Sequence, residues 1–308
     1  MYVKKIASFM NSEGGRKVSY FLAGTISVGA MCSYFVPHTL LLNEYRKLIQ
    51  LYNNGISVPV SKEIENRFQK ALDLLKIDPK DIHLYKPFHV YGFDVMSAGS
   101  SYSKYGAIIG IPINFTFQKP ETIDRSKMRI NHEAIVWDSE PAQNLLKSLV
   151  LSEKAQLYAM SREVLYRQTL KPLLDVFLAT NLVLSSYFLG RNLKQKFNFS
   201  AKPLGLRIML YTLVGIFNFG IYIMAKDLSQ MYYEKNIDLE LKKTDIIFLQ
   251  GGKEFYSKLL ERNKALRQLL GKDGERLYSV LGNENYILRQ KHIPLVQRLS
   301  SFDDTITS

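Results

Sequence analysis

Residues 208–225 read IMLYTLVGIFNFGIYIMA, a run without a charged side chain. Residues 18–36 (VSYFLAGTISVGAMCSYFV) also lack charge, and 173–190 (LLDVFLATNLVLSSYFLG) carry only Asp175, near the start. A helix of about 20 apolar residues covers the hydrocarbon core of a bilayer, so all three runs have roughly the length of a span. A carboxylate in lipid is costly, which makes Asp175 a residue in need of a partner. Three transmembrane helices are therefore expected, at 18–36, 172–190 and 208–225.

The charges around these runs suggest an orientation. Lys4, Lys5, Arg16 and Lys17 precede the first run against a single acid, Glu13. Between the second and third lies a turn with Arg191, Lys194, Lys196, Lys202 and Arg207 and no acid. Basic residues in short flanking segments favour the positive-inside face, and three spans put the tail 1–17 and the loop 191–207 on that same side. Segments 37–171 and 226–308 then share the opposite side and are expected to pack into one domain. A basic, acid-poor start can be a cleaved signal, a mitochondrial-type address or an anchor. The length of the apolar run, with no small-residue cleavage site after it, favours the anchor.

The formal net charge of +13 calls for an acidic partner or surface. The basic residues are not interleaved with aromatics for base stacking, and no G-x-x-x-x-G-K-[ST] loop is present, so nucleic acid is not expected. The five basic residues of the turn are instead candidates for anionic lipid headgroups.

The two flanking segments read as α+β. Helical spacing covers 40–52 and 61–77, where Ser61 can cap and Ile64, Phe68, Leu72 and Leu75 form one face. From 85 to 137 the period falls to two, predicting a small sheet of about three strands. The alternating residues are His89, Tyr91, Phe93 and Val95, then Ala107, Ile109, Ile111, Ile113 and Phe115, then Met128, Ile130, His132, Ala134 and Val136, with His83 and His89 read as strand-surface residues. Helical spacing returns over 139–166. After the third run, a charged helix at 227–249 is expected to break at Gly251-Gly252, and another to run from 253 to 270 before a GKDG stop. Residues 301–308 read as a frayed end.

Little here suits metal or thiol chemistry. Cys32 is the one cysteine, and the histidines at 38, 83, 89, 132 and 292 never fall four apart on a helix, so no cofactor or metal is expected. One motif comes close. In SREVLYRQ (161–168) Glu163 sits where a H-E-x-x-H zinc peptidase helix has its glutamate, but Arg162 and Tyr166 hold the histidine positions. An arginine cannot release its proton to bind a cation, and neutral tyrosine is a poor substitute for imidazole.

GGKEFYSKLLERNKALRQLLGKDGERLY (251–278) resembles the transmembrane protein 177 family of mitochondrial inner-membrane proteins. YKPF (85–88), SAG (97–99), GAIIGIP (106–112), LSEKAQLYAMSREVLY (151–166) and KHIP (291–294) match as well, so the likeness runs over nearly the whole chain. The resemblance implies a mitochondrial inner-membrane protein with its N-terminus in the matrix and its folded domain in the intermembrane space. It further implies a part in cytochrome c oxidase assembly, alongside newly made subunit II and that subunit's membrane assembly chaperone.

A second likeness concerns the order of parts. In HtpX-type membrane metallopeptidases a sheet precedes the H-E-x-x-H helix, a membrane hairpin follows, and an E-x-x-x-D segment then supplies a third zinc ligand and a supporting aspartate. Here the corresponding residues are Arg162, Glu163 and Tyr166, then the hairpin, then Glu234 and Asp238. The expected function is a non-enzymatic assembly factor, with Asp175, Asn218, Phe255, Tyr256 and Leu259 as partner-binding candidates. The alternative is a membrane metallopeptidase or pseudopeptidase of inner-membrane quality control. It would use Glu163 with ligands such as Glu234 and a distant histidine.

Overall fold

A computed structural model describes residues 9, 12–125, 129–130, 133–286 and 288–303. The chain is an α+β membrane protein that divides into two compact units. One comprises the residues to His38 and Leu170–Ser229; the other comprises Thr39–Thr169 and the residues from Gln230 onward.

The first unit is three long helices: α1 (Glu13–Phe35), α6 (Lys171–Lys196) and the first part of α7 (Leu204–Thr244). Each is long and apolar enough to cross a membrane. Ser12 caps α1, its Oγ accepting the Gly15 N–H at 3.2 Å, and Pro172 opens α6, where its missing N–H costs nothing. Side chains such as Phe21, Phe177, Ile216 and Phe217 point outward, as a lipid-facing surface requires. Polar contacts tie the helices together. Tyr34 and Tyr222 hydroxyls meet at 2.7 Å, and Ser185 Oγ donates to Asn218 Oδ1 at 3.4 Å. At 1.5 Å per residue, α7 is about 60 Å long, twice the thickness of a bilayer core. Its charge-free stretch ends at Ala225, and its part from Gln230 onward belongs to the second unit.

The second unit begins with α2 (Leu42–Ile49), a short hairpin of β1 (Tyr52–Asn53) and β2 (Ile56–Ser57), and α3 (Lys62–Leu74). Ser61 caps α3 as its sequence suggests, accepting from Ile64 N at 3.4 Å. The sheet has β3 (Tyr85–Val90), β4 (Met96–Gly99) and β5 (Ala107–Pro112) in the order β3-β5-β4, with β5 parallel to β3 and antiparallel to β4. Every residue of β5 is buried, which suits a central strand covered on both faces. One face meets α3 through Ile109, Ile111, Ile64 and Phe68, and the other packs Ile108 and Phe88 against Leu42.

Helices α4 (Glu140–Leu149), α5 (Glu153–Gln168), α8 (Ile246–Leu269), α9 (Lys272–Leu277) and α10 (Leu295–Asp303) complete the unit. Tyr158, Met160 and Val164 from the first segment share one core with Ile237, Phe248, Phe255, Tyr256 and Phe302 from the second.

Several local expectations need correction. The run from His89 to Val95 is not one strand: β3 ends at Val90 and a turn leads into β4. His89 is buried, bonded through Nδ1 to the Ile111 carbonyl at 2.9 Å. The third expected strand is instead a separate hairpin, β6 (Arg129–Ile130) with β7 (Glu133–Ala134). Met128 and His132 of that expectation, and 304–308 of the expected frayed end, fall outside the described residues. The 139–166 helix is two helices, α4 and α5, the second capped by Ser152.

Gly251-Gly252 does not break a helix either. The break comes earlier, where Asp245 caps α8 through Ile247 N at 2.7 Å. The glycines lie within α8 because nothing larger fits: a Cβ on Gly251 would be 2.2 Å from the Lys154 carbonyl oxygen, and one on Gly252 2.5 Å from the Phe302 ring. The stop at GKDG is where expected: α8 ends at Leu269 and Gly271, at φ +57, turns the chain into the short helix α9.

Candidate functional site

SREVLYRQ lies on α5, almost wholly buried between α3, α8 and the sheet. A helix covered on several sides cannot keep its polar residues on one solvated face, so each needs an internal partner. Glu163 accepts from Ser97 Oγ of β4 at 2.5 Å and has Arg162 Nη1 at 3.7 Å. Tyr166 donates to Gln230 Oε1 at 2.5 Å, and Gln230 in turn donates through Nε2 to Glu234 at 2.9 Å.

Glu234, one percent exposed, also accepts from His292 Nδ1 at 2.5 Å and Ile293 N at 3.2 Å, with Arg298 Nη1 at 3.6 Å. One turn further along α7, Asp238 takes two hydrogen bonds from Arg298, 2.8 Å from Nε and 2.7 Å from Nη2. Tyr158 donates to Asp238 Oδ1 at 2.7 Å and Tyr256 at 3.0 Å, and the Arg298 guanidinium stands 4.6 Å over the Tyr256 ring. The five residues singled out by the peptidase order therefore converge. Arg162 and Glu234 reach the wall of one cavity, about 680 Å³, with Tyr256, His292 and Arg298. Glu163, Tyr166 and Asp238 are not among its lining residues, and each makes its own hydrogen bonds.

Charge in this network is fixed by its neighbours. Burial by itself would raise the Glu234 pKa, but the His292 hydrogen bond and the Arg298 and Arg162 charges outweigh it and hold the carboxyl at about 2. Burial likewise works against the Arg298 charge, yet its pKa is raised well above the ordinary value, the Asp238 carboxylate holding its charge through its hydrogen bonds. Arg162 is also raised, against burial and the repulsion of Arg298, by the charges of Glu163 and Asp238. Burial pushes Tyr158 and Tyr256 up, so both phenols stay neutral donors. What a zinc peptidase would give to imidazoles and a dication is here given to two guanidiniums, a histidine and two carboxylates.

The partner-binding candidates fare differently. Phe255 and Tyr256, 5% and 0% exposed, are core residues rather than an outer face, and Leu259 is half-buried against the same core. Their helical spacing signals burial here because α8 packs on α5 and α10 along that side. Asn218 is buried between α7 and α6, donating to the Val214 carbonyl at 3.1 Å as well as accepting from Ser185. Asp175 is paired with Lys171 one turn before it on α6. Exposed apolar side chains of the second unit sit elsewhere, among them Leu48, Ile56, Tyr91 and Val136, and, on the segment between α9 and α10, Val280, Leu281 and Leu288; Leu288 reaches the cavity.

Of the five headgroup candidates, Arg191, Lys194 and Arg207 line a second cavity, within the first unit, while Lys196 and Lys202 do not. Arg16 lines it too and was not among those candidates. Tyr158, Arg298 and His292, which complete the carboxylate network, were also missed as site residues; the available signals were the LSEKAQLYAMSREVLY block, which contains Tyr158, and the KHIP block, which contains His292.

The family model described as Transmembrane protein 177 matches residues 10–306. The protein named Transmembrane protein 177 from Homo sapiens is 31% identical over 262 residues, 82% of this chain and 81% of its own length. That of Xenopus laevis is 30% identical over 281 residues, 90% of each chain. That of Danio rerio is 30% identical over 283 residues, 89% of this chain and 88% of its own length. No solved structure matches.

Proposed function

Because the chain belongs to the transmembrane protein 177 family, we propose that it is a non-enzymatic assembly factor of the mitochondrial inner membrane that holds newly made cytochrome c oxidase subunit II together with that subunit's membrane assembly chaperone. The family description itself names no activity. The observation that supports the non-enzymatic half is the Arg298–Asp238–Glu234 cluster. Zinc hydrolysis needs about three neutral or anionic ligands and an open position for water. Here the third-ligand glutamate and the supporting aspartate are held by Arg298 and His292. Arg162 adds a second cation at the cavity wall and would repel an incoming metal.

In this reading the carboxylates are structural. They fasten α10 and the 291–294 segment onto α5, α7 and α8, and so complete the domain that meets the partner. The convergence of Arg162, Glu163, Tyr166, Glu234 and Asp238 favours descent from a peptidase scaffold that now serves for binding. The basic tail and the 191–207 turn would face the matrix and the second unit the intermembrane space. Contact with the partner falls to the spans and to Val280, Leu281 and Leu288.

The test is to label mitochondrial translation products briefly and recover this protein in mild detergent. Labelled subunit II should come with it, and a product set without subunit II would overturn the assignment.

A further inference from the structure

We propose that the basic end of the three-helix unit is a seat for the phosphate of one anionic diacyl phospholipid. Helix α1 begins at this end, α6 finishes there and α7 begins there. Between them lies a cavity of about 670 Å³ whose wall carries four cations, Arg16 of α1, Arg191 and Lys194 of α6, and Arg207 of α7. No acidic side chain lines it among the described residues. Cations gathered from three separate helices repel one another, and an anion placed among them removes that repulsion and adds charge-assisted hydrogen bonds.

The rest of the wall explains why the anion belongs to a lipid. Leu22 and Ile26 of α1, Val183 of α6 and Tyr211 of α7 line the cavity further along the spans, so a ligand there has to be charged at one end and mainly apolar at the other. The cationic rim is also built rather than loose. Arg191 lies 4.7 Å over the Tyr20 ring, which itself packs 5.5 Å from Tyr187. Gly190 lets the Tyr211 ring lie against α6, where a Cβ would be 3.0 Å from it. A basic pocket between spans next to an anionic leaflet is the arrangement that recognises phospholipid headgroups. The seat depends on the spans alone and not on the oxidase reading.

Native mass spectrometry of the full chain in mild detergent, with dioleoylphosphatidylglycerol or dioleoylphosphatidylcholine at equal concentration, tests this. One phosphatidylglycerol should stay bound and phosphatidylcholine should not. Arg191→Gln with Arg207→Gln should weaken retention about tenfold or more. Lys196→Gln with Lys202→Gln removes the same charge from the same turn but outside the cavity, and should leave retention unchanged. Arg16→Gln, at an exposed position, gives the same reading if the first pair fails to fold. Equal loss in both pairs would mean a diffuse basic surface and overturn the seat. Displacement of the lipid by millimolar inorganic phosphate would mean a free-anion site and overturn the lipid.

Discussion

Arg298 on α10 grips Asp238 on α7 through two hydrogen bonds of 2.8 and 2.7 Å, across sixty residues of sequence and with both side chains almost wholly buried. Two charges taken out of water gain stability only if each stays partnered. Tyr158 and Tyr256 donate to the same carboxylate, so the pair is satisfied on every side. This cluster closes the second unit.

Removing one partner strands the other. Arg298→Met leaves the Asp238 carboxylate with two phenols and no cation, and is expected to lose about 3–5 kcal/mol of stability. Asp238→Leu combined with Arg298→Met should recover much of that loss. Thermal melts of the single and double variants in detergent check this. A single variant as stable as the wild type would show that the pair contributes nothing.

Acid should loosen the same region through Glu234. Its folded pKa, about 2, is depressed from the ordinary 4.5. The stabilisation is therefore full above pH 4.5 and disappears as the pH falls through the folded pKa. The gap corresponds to roughly 3 kcal/mol. Glu234→Gln should flatten the drop in melting temperature between pH 5 and pH 3. A parallel pH profile in the variant would remove Glu234 as the cause.

Gly251→Ala would stabilise an ordinary helix by about 1 kcal/mol. Here the added methyl meets the Lys154 carbonyl at 2.2 Å, a backbone atom that cannot rotate away. The clash should dominate and give a net loss on the order of 1–3 kcal/mol, read as a lower denaturation midpoint. A raised midpoint would mean that α5 and α8 are not in close contact.

Val280 and Leu281 are exposed between α9 and α10. Changing both to Asp should leave the melting temperature nearly unchanged, since no core is disturbed, and should lower recovery of labelled subunit II several-fold. Undiminished recovery would exclude this segment as the partner face.

The candidate spans were legible because lipid allows so few solutions: a long run with almost no charge reads as a helix able to cross. Glu234 and Asp238 were legible only through the order of parts, since E-x-x-x-D is common on helices. Their partners were not legible. Arg298, His292 and Tyr158 reach them from distant segments, and no local spacing encodes such a contact. Gly251-Gly252 misled for the opposite reason. The local rule for glycine is a break, whereas the actual requirement is tertiary, the approach of Lys154 and Phe302. The turn after Val90 was hidden because alternation continued through it by composition alone.

The most direct test of a scaffold without catalysis is to follow pulse-labelled subunit II through a chase, in cells carrying the wild type or Glu163→Gln. Glu163 accepts a hydrogen bond from Ser97 and has no metal-bound water to activate in this reading, so subunit II should be recovered with both proteins equally and decay at the same rate. A labelled product that accumulates or stays trapped only with Glu163→Gln would contradict the scaffold and make the protein a protease.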